Sequence, residues 1–153
     1  MNNNNKYPGH VMLIDDDEDD IRIFKVIVKQ LDPNITVTTA THGTEAFNVL
    51  REEHFTAPDL IFLDINMPVM NGFEFLAEMK ADSGLAHVPV IMYSTSSIGR
   101  DVGKAYDLGA SLYVVKPFDI YDYEVLLKKI FALDWNLFNE KVTKEKFLLG
   151  GES

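Results

Sequence analysis

Leu60-Ile61-Phe62-Leu63 is an uninterrupted apolar run, and it stops on Asp64. A run this short, with no polar residue alternating through it, suits a strand buried on both faces of a parallel sheet. Val11-Met12-Leu13-Ile14, Val90-Ile91-Met92-Tyr93 and Leu112-Tyr113-Val114-Val115 have the same character. Ile35-Thr36-Val37-Thr38-Thr39-Ala40 instead alternates, as an edge strand with one face nearer water would. Helical spacing fills the gaps between these runs. Ile21, Phe24, Val28 and Leu31 form one stripe, and Ala46, Phe47 and Leu50 a second. Phe73, Leu76 and Met79 form the third, and Ile98, Val102, Ala105 and Leu108 the fourth. Tyr123, Leu126, Leu127 and Ile130 form the fifth. Asp32-Pro33 stops the first helix, and Gly109 stands where a helix C-cap belongs. Strand and helix alternating five times predict a doubly wound α/β sandwich with right-handed crossovers.

Outside this pattern, residues 1–9 are Asn-rich, end on Pro8-Gly9, and read as a disordered leader. The sandwich is expected over residues 10–132, followed by a C-terminal extension over 133–153 with a short helix expected at 139–148. That extension carries Trp135, Leu137, Phe138, Val142, Phe147, Leu148 and Leu149, too apolar a set for a solvated end. It is expected to pack back on its own domain, the alternative being burial in a second protomer.

The 153 residues suit one domain with one well-buried core. No apolar run approaches the roughly 18 residues of a membrane span, and Met1-Asn2-Asn3-Asn4-Asn5-Lys6 lacks the charged start and apolar stretch expected of a secretory signal. There is no cysteine, hence no disulfide framework or thiolate metal site, and the expected location is the cytoplasm. A net charge of −10 argues against nucleic acid and anionic membranes as partners. It suits a soluble protein partner, or a cation held by carboxylates.

Ligands of an open parallel sheet bind beyond the carboxyl ends of its strands. The first residues after the apolar runs are therefore the informative ones. They are Asp15-Asp16-Asp17-Glu18-Asp19-Asp20 after the first, Asp64 after the third, Ser94-Thr95 after the fourth and Lys116-Pro117 after the fifth. Carboxylates gathered at one edge raise each other's pKa unless a cation joins them, and an all-oxygen donor set favours Mg²⁺ over zinc. A carboxylate is also a nucleophile toward phosphorus, with metal, ammonium and hydroxyl available to stabilise the equatorial oxygens.

Five strings together resemble the signature segments of response-regulator receiver domains from two-component systems. They are Leu13-Ile14-Asp15-Asp16-Asp17, Leu63-Asp64-Ile65-Asn66-Met67-Pro68, Asn71-Gly72-Phe73-Glu74, Val90-Ile91-Met92-Tyr93-Ser94 and Val115-Lys116-Pro117-Phe118. Their order and the spacings from Asp64 to Ser94 and to Lys116 match the family, over roughly residues 10–132. The resemblance implies a flavodoxin-like sheet of five parallel strands in order 2-1-3-4-5, as a stand-alone domain. It makes Asp64 the phosphoacceptor. It assigns Mg²⁺ to Asp16, Asp64 and the backbone carbonyl of Asn66, with Asp15 acting through a water. It gives phosphoryl oxygens to Ser94 and Lys116, a switch role to Ser94 and Tyr113, and control of access to the phosphoryl group to Asn66 and Thr95. It also makes Lys116-Pro117 a candidate cis peptide. The partners implied are a histidine kinase or phosphotransfer protein and a downstream protein target. The output surface is expected on the fourth helix, fifth strand and fifth helix, in a monomer or a phosphorylation-dependent dimer. Such a chain is not an enzyme beyond catalysing its own phosphorylation and dephosphorylation.

Plainer readings stand beside these. An acidic run such as 15–20 is ordinarily a solvated helix N-terminus, and Asp17 to Asp20 look like cap and first-turn residues. Ser94 could be an N-cap, Lys116 a surface lysine and Tyr113 core packing. His10, His42, His54 and His87 share no ligand spacing and read as surface residues. A Mg²⁺-dependent phosphohydrolase would need a second acid two residues after its nucleophile, where this chain has Asn66. A receiver that works without phosphorylation would be expected to have lost a pocket residue, and none is missing.

Overall fold

A computed structural model describes residues 7–95, 98–135 and 147–149. The elements follow in the expected alternation: β1 (His10–Ile14), α1 (Glu18–Leu31), β2 (Thr36–Ala40), α2 (Gly43–Leu50), β3 (Leu60–Asp64), α3 (Gly72–Ala81), β4 (Val90–Ser94), α4 (Gly99–Asp107), β5 (Leu112–Val115) and α5 (Ile120–Phe131). The five strands are parallel in the order β2-β1-β3-β4-β5. No described helix is long and apolar enough to cross a membrane.

The apolar runs are continuous because successive side chains enter two different cores. Val11, Leu13, Leu60, Phe62, Ile91 and Tyr93 pack with Phe24 and Val28 of α1 and Leu127 and Ile130 of α5. Their sequence neighbours Met12, Ile14, Ile61, Leu63, Val90 and Met92 pack on the opposite face with Phe47 of α2, Leu76 of α3 and Ala105 of α4. Each such burial is worth about 1.5–3 kcal/mol relative to exposure, so a polar residue inside any of these strands would be costly. β2 lies at an edge and is only partly buried over most of its length, in keeping with its alternation.

Local signals end the elements where expected. Asp17 caps α1 by accepting from the amides of Asp19 and Asp20, and Asp32 is its C-cap. Asn71 and Glu74 form a reciprocal capping box on α3. Gly109 takes φ +97 after α4, with Gly109 N–H on the Tyr106 carbonyl and Ala110 N–H on that of Ala105, the bonding of a Schellman motif. Ile98, assigned to the fourth helical stripe, is instead the exposed N-cap residue of α4 and makes no side-chain capping bond. Ser94 therefore does not cap that helix; it remains in β4.

The far edge of the sheet departs from expectation. A sixth strand, β6 (Leu148–Leu149), runs parallel to β5, pairing Tyr113 with Leu148 and Val114 with Leu149. Phe147 just before it is buried against the rings of Tyr106 and Tyr113, with centroids 5.3 and 6.4 Å apart. The extension thus folds back on its own domain and covers the backbone edge that β5 would otherwise present. Most of the helix expected at 139–148 lies outside the described residues, and its last residue, Leu148, is in β6. Trp135 packs beside the core on the α1/α5 face and donates its indole N–H to the Ile130 carbonyl at 3.0 Å. His42, His54 and His87 are exposed, as expected, but His10 is half-buried and hydrogen-bonded to Thr38 Oγ1 at 2.7 Å. Burial lowers its imidazole pKa.

Candidate phosphoacceptor site

The carboxyl ends of β1, β3, β4 and β5 converge as the strand order requires, and four short loops place the site. Asp15 follows β1 directly, its amide bonded to the Ala40 carbonyl at 3.0 Å and its Oδ1 accepting from Asp17 N–H at 2.9 Å. Asp64 is the last residue of β3, and its Oδ1 accepts from the Asn66 amide at 3.4 Å. Both carboxylates are buried, whereas Asp16 is exposed. Ligand atoms of Asp15, Asp16 and Asp64 lie within 4.8 Å of one another. Lys116, just past β5, enters from the other side: Nζ is 2.9 Å from Asp15 Oδ2, 3.8 Å from Asp64 Oδ1 and 2.8 Å from Asp20 Oδ2.

Gly72 explains why Asn71-Gly72 follows Asp64 so closely. A Cβ there would sit on the Asp64 carbonyl oxygen and 2.8 Å from Ile65 Cα, so only glycine lets α3 start against the end of β3. Between them Val69 holds φ 68, a left-handed conformation strained for a β-branched residue. The strained turn lies five residues after the phosphoacceptor candidate (64 to 69). The Lys116–Pro117 peptide, a candidate for cis, is trans. The trans form is the intrinsic preference of an X–Pro bond, by about 0.5–1 kcal/mol, and the Lys116 amide still reaches the Ser94 carbonyl at 2.8 Å.

The electrostatics follow from crowding. Burial pushes the Asp64 carboxyl up to about 7, with Lys116 pulling it down and Asp15 and Asp16 pushing it further up. Asp15 is also raised, mainly by burial, against the pull of the Asp17 amide and of Lys116. Burial works to lower the Lys116 pKa, but Asp20, Asp15 and Asp64 together raise it, so the ammonium stays charged. The oxygen-only donor set, at a depth where two carboxylates resist ionising, fits a hard divalent cation such as Mg²⁺.

The remaining candidates take their expected levels in the fold. Ser94 is fully buried at the end of β4, Thr95 beyond it is exposed, and Asn66 is exposed beside Asp64. Tyr113 is not among the carboxylates; it is fully buried in the α4-side core next to Phe147. Two participants were not legible as such. Asp20, taken as a first-turn residue, is an ion-pair partner of Lys116. Tyr93, taken as strand core, lies under the same ammonium, 4.4 Å from ring centroid to Nζ. Asp20 did carry one signal: it lies four and seven residues before Phe24 and Ile27, which α1 buries, so its helical face turns toward the domain.

This fold and pocket are those of a receiver domain. The sequence profile of the response regulator receiver domain matches residues 11–130, and the chain belongs to that family. The chain is 33% identical over 121 residues to the two-component response regulator ORR8 of Oryza sativa subsp. japonica, covering 79% of this chain and 97% of that one. It is 36% identical over 118 residues to the probable transcriptional regulator ycf29 of Pyropia yezoensis, covering 76% of this chain and only 52% of the algal protein. The chain thus spans about half the length of that relative. Among solved structures it is similar to the phosphorylated cyanobacterial phytochrome response regulator RcpA, with TM-score 0.74, 31% identity and coverage of 88% of this chain and 96% of that one. It is also similar to the Mn(2+)-bound form of response regulator Rcp1, with TM-score 0.73, 28% identity and coverage of 89% and 98%.

Proposed function

We infer that the protein is a phosphoacceptor switch that takes a phosphoryl group onto Asp64 from a phosphohistidine of a kinase or phosphotransfer protein. The observation that carries this is the convergence of Asp15, Asp16 and Asp64 within 4.8 Å with Lys116 Nζ 3.8 Å from Asp64 Oδ1. The phosphorylated and Mn(2+)-bound forms of similar proteins support it. Asp16, Asp64 and the Asn66 carbonyl would hold Mg²⁺, with Asp15 contributing through a water. When bound, the ion supplies positive charge to the nucleophile and to the transferring phosphoryl oxygens.

Asp64 Oδ attacks phosphorus, a new O–P bond forms, and the P–N bond to the donor imidazole breaks with its electron pair returning to nitrogen. Lys116 and the Ser94 hydroxyl then take phosphoryl oxygens, the lysine through a charge-assisted bond. Thr95 and Asn66, both exposed beside the site, control the approach of water. Asn66 cannot serve as the general acid a phosphohydrolase needs, so the protein acts only on itself. Phosphorylation shifts an existing equilibrium between two conformations, with Ser94 and Tyr113 as the moving side chains and a protein partner reading the α4–β5–α5 face.

The test is intact-mass analysis after incubation with a small phosphodonor and Mg²⁺. One base-labile phosphoryl group should appear on the wild type and none on Asp64→Asn. Phosphate found on Ser94 or Thr95 instead would overturn the mechanism.

A further inference from the structure

Lys116 is held more closely by a residue outside the acidic triad than by the phosphoacceptor. Its Nζ lies 2.8 Å from Asp20 Oδ2 on α1 but 3.8 Å from Asp64 Oδ1. The opposite side of the ammonium rests on the ring of Tyr93, 4.4 Å to the centroid, and the Tyr93 hydroxyl is hydrogen-bonded to that of Tyr123 on α5. Asp15 after β1 also grips the ammonium, at 2.9 Å from its Oδ2, so four segments hold one lysine: the ends of β1 and α1 by charge, β4 by an aromatic face, and α5 by bracing that ring. A first-turn aspartate needs no such role to suit a helix N-terminus. Asp19, its neighbour, is exposed and pairs with Arg22 at the surface. Asp20 instead reaches inward to a lysine that is only 11% exposed. A cavity of about 310 Å³ lined by Asp20, Tyr93, Lys116 and Tyr123, among others, lies on the Asp20 side of the ammonium.

We propose that Asp20 is a positioning residue that holds Lys116 back from Asp64 at rest, so that phosphoryl transfer requires the Lys116–Asp20 pair to open. This rests on Asp64 being the phosphoacceptor. A phosphoryl group carries more charge and more acceptor oxygens than one carboxylate, so it outcompetes Asp20 for the ammonium once attached. Until then Asp20 competes with the incoming group and slows its arrival. The Tyr93 face keeps the lysine partnered on one side while it exchanges oxygens.

The experiment compares full-length wild type, Asp20→Asn and Asp20→Glu, incubated with phosphoramidate at saturating Mg²⁺ and followed by intact mass. Asp20→Asn should accept the phosphoryl group about tenfold faster, the scale of one charge-assisted bond discounted for partial exposure. Asp20→Glu should restore most of the slow rate. Damage to the fold would slow acceptance, so the direction separates positioning from structure. The ¹⁵N resonance of Lys116 Nζ should differ between wild type and Asp20→Asn at rest and coincide once beryllofluoride, a phosphoryl mimic, occupies the site. An Asp20→Asn protein that melts like the wild type yet accepts phosphate no faster overturns the proposal while leaving Asp64 as acceptor. A wild type that accepts none overturns the phosphoacceptor reading, and this proposal with it.

Discussion

Neutralising Asp64 should stabilise the metal-free protein at alkaline pH and leave it nearly unchanged at acid pH. The carboxyl is raised from 3.8 to about 7, principally by burial and further by Asp15 and Asp16. A group that binds its proton more tightly in the folded state makes stability fall with rising pH, from the unfolded value up to the folded one. The metal-free protein should therefore lose stability between about pH 4 and pH 7, then level off with respect to this group. At 1.36 kcal/mol per pKa unit the full span is worth about 4 kcal/mol, and water entry and side-chain movement around the ionised pocket reduce this to about 2–4 kcal/mol. Asp64→Asn removes that charge with little change in shape. Urea unfolding in a chelator should show the variant more stable than wild type by that amount at pH 8 and by little at pH 4. Mg²⁺ should narrow the gap at pH 8 by raising the wild type, about 1.4 kcal/mol at roughly tenfold excess over its Kd. Equal stabilities of wild type and Asp64→Asn at pH 8 without metal would refute the account of a strained acidic pocket. A wild-type melting curve unmoved by Mg²⁺ would refute the metal assignment.

Two further perturbations separate the parts of the design. Gly72→Ala forces a methyl onto the Asp64 carbonyl, where the contact is backbone and cannot yield cheaply. It should cost about 1–3 kcal/mol as an overpacking change and slow phosphoryl acceptance, read by urea unfolding and intact mass together. Phe147→Ala empties a buried site between Tyr106 and Tyr113 and should cost about 3 kcal/mol. Deletion after Ala132 should likewise lower the melting temperature but leave Asp64 phosphorylation intact. A truncated protein that folds yet cannot be phosphorylated would show that the tail reaches the site.

The sequence alone determined the sandwich, and the reason is local. Leu60-Ile61-Phe62-Leu63 has no polar alternate because neighbours along each strand enter opposite cores, and that doubling is written in every central run. The topology then placed Asp15, Asp16, Asp64, Ser94 and Lys116 at one edge, since residues that end parallel strands must share it. Tertiary structure decided what depends on how distant side chains meet. Lys116 finds Asp20 across 96 residues of chain, and although Asp20 shares the helical face of buried Phe24 and Ile27, nothing within α1 foretells a lysine as its partner. Tyr93 reads as one more buried strand residue until the lysine is seen above its ring. The short strand at Leu148–Leu149 carries too few residues for any pattern; it exists because β5 has an edge to pair and Phe147 buries its ring against Tyr106 and Tyr113. Nor could spacing foretell that Asp64 resists ionising, because that depends on burial and on charges arriving from two other strand ends, those of β1 and β5. Periodicity records which face of an element is dry, whereas a pairing between elements exists only once the chain has closed.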